Sequence, residues 1–369
     1  MQDSQRKQLL SLLDELSKAV EELLLAGLTA ASKSSVERLD VTFKEASRMK
    51  LLRLGSTLRI ANEEIVRFNA GSSQFSARRF SFFLSRAWLL ATAMRRALDA
   101  GDEETLSRLQ VTPPTQPVEN LKVVTLGIAK RVVPGAFTSF DFRLRALGAA
   151  GPVRDKQPLI WSCVFPLRKD LDLPTEAFLH LPQKQKFKPS ILLEQKVIDI
   201  TKSAVSPQPG GTARLSLSDV STLSVGEEFA DWQRLLSWDI PQAAERLEQH
   251  RPTPMDLEIE LQEEVFLSNW QPGEQLPTDD GYDVLPILSS FLPLEVRLDR
   301  GPSGVPVSGV MTKIAKQKRR PPIYGLVHYE ACRLILQPLS ALKKDGIEYL
   351  TVSPDKISQA ELVKAMKFT

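Results

Sequence analysis

Two short basic runs hold the side chains of this sequence best suited to chemistry. One is Lys184, Lys186 and Lys188, with Phe187 among them. The other is Lys313, Lys316, Lys318, Arg319 and Arg320, closed by Pro321-Pro322. Lysine and arginine neutralise phosphates and release counterions, and an interleaved aromatic ring can stack on an unpaired base. The pattern is that of a site for single-stranded nucleic acid. The runs lie far apart in the chain, so a joint site requires the fold to bring them together. The competing reading is two charged loops that keep a sheet soluble and blunt its edges. Basic runs this short are weak motifs, and the loop reading is the expected one.

A third cluster has a different character. Residues 75–90, FSARRFSFFLSRAWLL, concentrate aromatic side chains around more than one narrow helical stripe. Such a helix is central to a bundle or shares an apolar face with a partner, and core packing is the default. Arg78, Arg79 and Arg86 lie on the same stretch and offer an arginine surface to acidic protein or phosphate.

Catalytic and metal signatures are missing. There is no GxSxG elbow, no phosphate-binding glycine loop with its lysine, no GxGxxG after a strand and no HExxH. With only 3 histidines, the commonest general base is scarce. Acidic side chains alternate along DLEIELQEEVFL, residues 256–267, with Asp256, Glu258, Glu260 and Glu264 on one side. Same-face neighbours on a strand stand almost 7 Å apart, too far to share one ion unaided, so a solvated strand face is expected rather than a metal site. Asp279-Asp280-Gly281-Tyr282-Asp283 has the composition of a calcium loop but not its spacing, and reads as a turn. No cofactor and no metal are expected. The 2 cysteines, Cys163 and Cys332, sit in apolar strand-like surroundings and read as buried thiols, with no disulfide.

The elements that must position these residues follow from periodicity. Apolar residues recur at helical spacing over 3–28, from Ser34 towards Phe68 with a break near Gly55, and over 76–100. Asp102, Glu103 and Glu104 favour a short fourth helix. The uncharged stretch VTPPTQPV, residues 111–118, reads as a linker, because proline removes a donor and turns its neighbour away from helix. Beyond it the period becomes two: Phe140, Phe142, Leu144 and Ala146 alternate with Asp141, Arg143 and Arg145. Strands are expected at 121–133, 136–147, 158–165, 191–205, 256–267, 292–299, 305–315, 323–337 and 346–352. A helix is expected at about 227–249 and another from Ser353-Pro354 onward.

The expected fold is α+β: an N-terminal helical bundle over 1–110, a linker at 111–118, and an antiparallel β-rich region over 119–369, barrel or sandwich, divided near 206–255 and ending in a helix. Net charge is +3, and an acidic stretch at 206–310 lies between basic stretches at 119–205 and 311–369. Charges interrupt the N-terminus, so it does not read as a signal peptide, and no apolar run reaches the ~18 residues of a membrane helix. A cytoplasmic location without membrane contact is expected. The expected function is a non-catalytic subunit or adaptor binding another protein. The alternative is nucleic-acid binding through 184–188 and 313–320, and the third reading is an enzyme without a familiar signature.

Overall fold

A computed structural model describes the chain except residues 1–2, 31–32, 50, 73–74, 111–114, 134–136, 168–173, 183–186, 208–210, 236–242, 244, 246–261, 280, 290–292, 301–304, 331–332, 344–345, 353–356, 359–360 and 362–369. The described residues form two compact units, one up to residue 110 and one from 115 onward.

The first unit is helical: α1 (Asp3–Ala30), α2 (Lys33–Arg48), α3 (Leu52–Asn69), α4 (Ala77–Ala100) and α5 (Glu103–Gln110). The connections are short, so neighbours run antiparallel. Each of α1 to α4 packs on the next, and α4 returns against α1 to close a four-helix bundle. Leu13, Leu16, Leu54, Leu58, Leu84 and Leu90 are fully buried between them. Each such leucine stabilises the bundle by about 1.5–3 kcal/mol. The ends of α4 show why it starts and stops where it does. The Ser76 hydroxyl accepts from Arg79 N–H at 3.2 Å, an N-cap. Gly101 takes the left-handed conformation at φ 68. Gly101 N–H donates to Leu98 O at 3.2 Å and Asp102 N–H to Ala97 O at 2.9 Å, a Schellman closure that a Cβ would strain. The interruption expected near Gly55 falls earlier: α2 ends at Arg48, α3 begins at Leu52, and Gly55 lies inside α3.

The second unit contains two barrels. In the first, β1 (Gln116–Val133), β2 (Phe137–Ala146), β3 (Pro158–Pro166), β5 (Ala213–Ser216) and β4 (Lys196–Pro207) are bonded in that order. A β1–β4 pairing closes the ring, and β6 (Thr222–Glu228) pairs antiparallel with the first half of β4. The β3–β5 contact is parallel and the others antiparallel. The interior holds Phe140, Phe142, Leu144, Trp161 and Phe165, the inward half of the alternation visible in β2 and β3.

The second barrel repeats the path. Its first strand is split into β7 (Glu263–Leu267), which pairs β12 (Ile323–Glu330), and β8 (Trp270–Pro272), which pairs β10 (Tyr282–Ser289). From β10 the ring runs to β11 (Pro293–Asp299), then by a parallel contact to β13 (Arg333–Lys343), and back to β12. The short strands β9 (Leu276–Pro277) and β14 (Gly346–Tyr349) flank it. Strand order 1-2-3-5-4-1 with one parallel contact is that of the five-stranded OB-fold barrel. The chain therefore carries two of them in tandem. A short helix, α6 (Trp232–Leu235), lies between.

Several sequence expectations change here. Residues 305–315 form a helix, α7 (Val305–Ala315), not a strand. Met311 and Ile314 plug the second barrel, so burial overrides the β-branched composition of the segment. The strand expected at 191–205 begins with a 3₁₀ turn at Pro189–Leu193 and is extended only from Lys196. The strand expected at 323–337 is a hairpin, β12 and β13. Residues 227–228, the start of the helix expected over 227–249, are the end of β6. Most of that helix and the C-terminal one lie outside the described residues. Among the described residues no helix is long and apolar enough to cross a membrane.

Candidate nucleic-acid interface

The two basic runs occupy the same topological slot, the connection between the third and fourth strands of each barrel. The fold uses them differently. In the first barrel this connection holds two 3₁₀ turns, Thr175–His180 and Pro189–Leu193. Phe178, Leu179 and Leu192 from these turns are buried in the barrel core. Phe187 is half-buried against the same core, its ring centroid 5.5 Å from that of Trp161. This packing against the core argues against the base-stacking role suggested by its place among lysines. Lys188 is exposed. Lys184 and Lys186 lie outside the described residues. His180 is held below its ordinary pKa by burial and by the Lys188 charge, which keeps it neutral near pH 7.

In the second barrel the slot holds α7 and the turn after it. Lys313, Lys316, Lys318 and Arg319 are exposed. Arg320 bends back: its Nε donates to Ala315 O at 3.0 Å, and its guanidinium lies 5.8 Å from the Trp270 ring. The first contact satisfies a carbonyl at the α7 C-terminus, where a cation is also favoured. Among the described residues no hydrogen bond, ion pair or ring contact joins 187–188 to 313–320.

Charge pairing separates this run from the rest of the barrel. On the outer strands, Arg297 pairs Glu330 at 2.8 Å, Arg300 pairs Asp283 at 2.6 Å, and Arg333 pairs Glu295 at 2.6 Å. The Arg297 hydrogen bond draws the Glu330 carboxyl below its ordinary pKa, and Arg300 and Gln275 do the same for Asp283. Asp283 thus belongs to an ion pair at the start of β10, after the turn expected at 279–283. By contrast, none of Lys313, Lys316, Lys318 and Arg319 has an acidic partner among the described residues.

The helical unit corrects one arginine and places two. Arg86 is only 4% exposed, turned into the bundle rather than towards a partner, because its position on α4 falls on the inward side. Arg79 binds the fully buried Glu64 at 2.6 Å. Glu64 also accepts from Arg67 and from Ser76 N–H. Burial opposes the charge of Glu64, but these hydrogen bonds outweigh it and hold the carboxyl below its ordinary pKa. Arg78 is exposed.

Between the barrels lies a constellation that the sequence concealed. Arg145 on β2 and Glu264 on β7 form an ion pair at 2.7 Å, with side chains 3% and 4% exposed. Glu264 is thus not on a solvated face. It is covered because the outer side of β2 meets β7. Arg143 adds a bond to Gln262 at 3.4 Å. The fully buried Tyr324 faces the pair, and burial together with the Glu264 carboxylate pushes its phenol well above the ordinary value. Around it pack Val124, Leu126, Phe266, Leu326 and Leu339. A Cβ on Gly127 would stand 2.7 Å from Leu339 Cβ and 2.9 Å from the Tyr324 ring, so only glycine allows this approach. The outer face of strand two, one of the customary ligand surfaces of an OB-fold, is thereby closed at Arg143 and Arg145. The alternation of arginine with apolar residues in β2 was the available signal, but nothing local names a partner 119 residues away.

Among the described residues no cluster of three or more histidine, cysteine or acidic side chains could hold a metal ion. Cys163 is buried, and burial pushes its thiol up to about 12, which makes it a poor nucleophile. Cys332, Glu258 and Glu260 lie outside the described residues.

No family model matches the chain, and no curated protein matches it. Among solved structures, "Crystal structure of Ifi202 HINa domain in complex with 20bp dsDNA" is similar at 10% identity and a TM-score of 0.30, over 60% of this chain and 93% of that one. "Structure of murine DNA binding protein bound with ds DNA" is similar at 10% identity and a TM-score of 0.28, over 65% and 100%. "Crystal structure of the tetrameric p202 HIN2" is similar at 8% identity and a TM-score of 0.27, over 66% and 99%. Likeness at this level carries no argument, and the assignment of the barrels rests on their strand order.

Proposed function

We propose that the protein binds single-stranded nucleic acid through its second barrel. The observation that carries this reading is that Lys313, Lys316, Lys318 and Arg319 have no acidic partner among the described residues, on a barrel whose Arg297, Arg300 and Arg333 are each ion-paired. An unpaired cation keeps its counterions and can release them to a phosphate chain. OB-fold barrels commonly take oligonucleotides, and single strands follow such basic tracks with little sequence preference. The first barrel contributes less, since its strand-two arginines are covered.

The test is fluorescence anisotropy with a labelled single strand and its duplex over a series of salt concentrations. Affinity for the single strand should fall with salt at a log–log slope near −0.7 per neutralised phosphate. The variant K316Q/K318Q/R319Q should bind more weakly and with a flatter slope. Absence of single-strand binding, or a slope the variant leaves unchanged, would sink the reading.

A protein-binding role is supported for the helical unit by a different observation. An apolar groove of about 290 Å³ is lined by Leu23, Leu24, Leu28, Phe75 and Phe80. Beside it Leu25 is 90% exposed, and α1 is broken at Gly27, φ 70. Exposed apolar side chains next to an apolar groove mark an interaction surface. The variant L24S/L25S should lose co-purifying protein while its helical circular dichroism stays intact. Unchanged recovery of partners would remove this role.

A further inference from the structure

The split in the first strand of the second barrel leaves a hollow beside the unpaired cations. Between β7 and β8 the chain turns at Ser268 and Asn269, and β8 rejoins the sheet with Trp270 opposite Ser289 and Gln271 opposite Leu288. Asn269, Trp270, Gln271, Leu288, Ser289 and Arg320 bound a space of about 380 Å³. That is the small end of the ~300–1,000 Å³ range of ligand pockets.

One wall is fixed. The Trp270 Nε1–H donates to Pro321 O at 3.1 Å, and Arg320 is held over the indole. The Arg320 Nε is used at the end of α7, but its terminal nitrogens have no partner among the described residues. The carboxamides of Asn269 and Gln271 are exposed and make no hydrogen bond among the described residues. Leu288 is 56% exposed, an apolar side chain on the floor of a polar cavity. No acidic side chain lines the hollow, so it does not suit a cation.

We infer that this hollow takes one unstacked purine base of the bound strand. The inference rests on the nucleic-acid reading and adds to it a place where the base is read. A carboxamide offers a donor and an acceptor together, the pair that matches adenine N6 and N7. A guanidinium offers two donors, which match guanine O6 and N7. Leu288 supplies apolar contact for the base face. Both polar matches use the purine edge that pyrimidines lack, so the hollow selects purines over pyrimidines. Lys316, Lys318 and Arg319 precede Arg320 directly in the chain and can hold the neighbouring phosphates.

The experiment compares three labelled single strands of equal length: one of pyrimidines, one with a central run of adenines, and that same strand with abasic sites replacing the adenines. The full chain should bind the adenine strand about tenfold more tightly than the other two, the discrimination of one good bidentate contact. N269A/Q271A should remove that preference and leave the salt slope unchanged. Both side chains are exposed and make no hydrogen bond among the described residues, so this variant should keep its fold. K316Q/K318Q/R319Q should weaken all three strands alike. If the full chain binds the abasic and adenine strands equally, with a steep salt slope, the base site is wrong and the nucleic-acid reading stands. If a purine preference survives N269A/Q271A, the hollow is not where the base is read. If no strand binds, both fail together.

Discussion

The two barrels share one topology and nearly opposite uses of charge. In the first, the basic connection between strands three and four folds onto the barrel, and Phe187 packs against Trp161. Its strand-two arginines are buried against β7. In the second, the same connection holds a regular helix whose apolar side is inserted and whose exposed cations have no acidic partner among the described residues. A basic run in a sequence therefore says little until its neighbours are known. The decisive difference is where the acids pair: at Arg145 an acid is buried with it, while none pairs with Lys316 or Arg319 among the described residues.

Breaking the buried pair should have the largest effect. Glu264→Gln removes the carboxylate that faces the buried Arg145 guanidinium, and Arg145→Ala removes the guanidinium that faces the buried Glu264. Each should cost about 3–5 kcal/mol of stability, measured by denaturant unfolding of the full chain. Replacing both with apolar residues of similar volume should recover most of that loss. A loss under about 1 kcal/mol in the single variants would mean that water reaches the pair. Phe187→Ala comes next. Its ring is half-buried, so it should cost about 1–2 kcal/mol and leave oligonucleotide affinity unchanged. A drop in affinity without a drop in stability would return the first barrel to the ligand-binding surface. The triple variant K316Q/K318Q/R319Q should shift stability by less than about 0.5 kcal/mol, since these exposed side chains hold nothing together.

The helical unit gives a comparison in pH. The Glu64 pKa is lowered in the folded chain, so the unfolded chain takes up the proton more readily. The stabilisation is therefore present above the unfolded value, near 4.3, and is lost as pH falls through the folded value. Glu64→Gln should remove that segment of the acid-unfolding curve. An unchanged curve would mean that Glu64 is not ionised inside the bundle.

Much of the bundle was legible because its signals are local. Ser76 and Gly101 mark the ends of α4 whatever it packs against. The alternation in β2 was legible for the same reason. What failed depended on distant residues. VPVSGVMTKIA reads as strand because valine and isoleucine suit a pleated surface, yet Met311 and Ile314 are wanted inside a barrel. Glu264 reads as solvated because the acids before it alternate with apolar residues. Arg86 reads as surface by its charge, while its place on α4 turns it inward. The basic run at 313–320 was legible as a candidate. Its lack of acidic partners was not, because pairing is a property of space.

One feature of β1 sets an order on synthesis. Its outer residues Val124 and Leu126 pack with Phe266, Tyr324, Leu326 and Leu339 of the second barrel and with Leu235 of α6. Leu126 O accepts from the Ser340 hydroxyl, and Ile128 O from that of Thr351. These partners leave the ribosome more than 200 positions later. Until then the nascent first barrel carries an apolar strip without its second-barrel cover, a surface prone to association with other chains. Completion of the fold must await the last strands, and a chain that stops before β12 would keep that strip exposed for its lifetime.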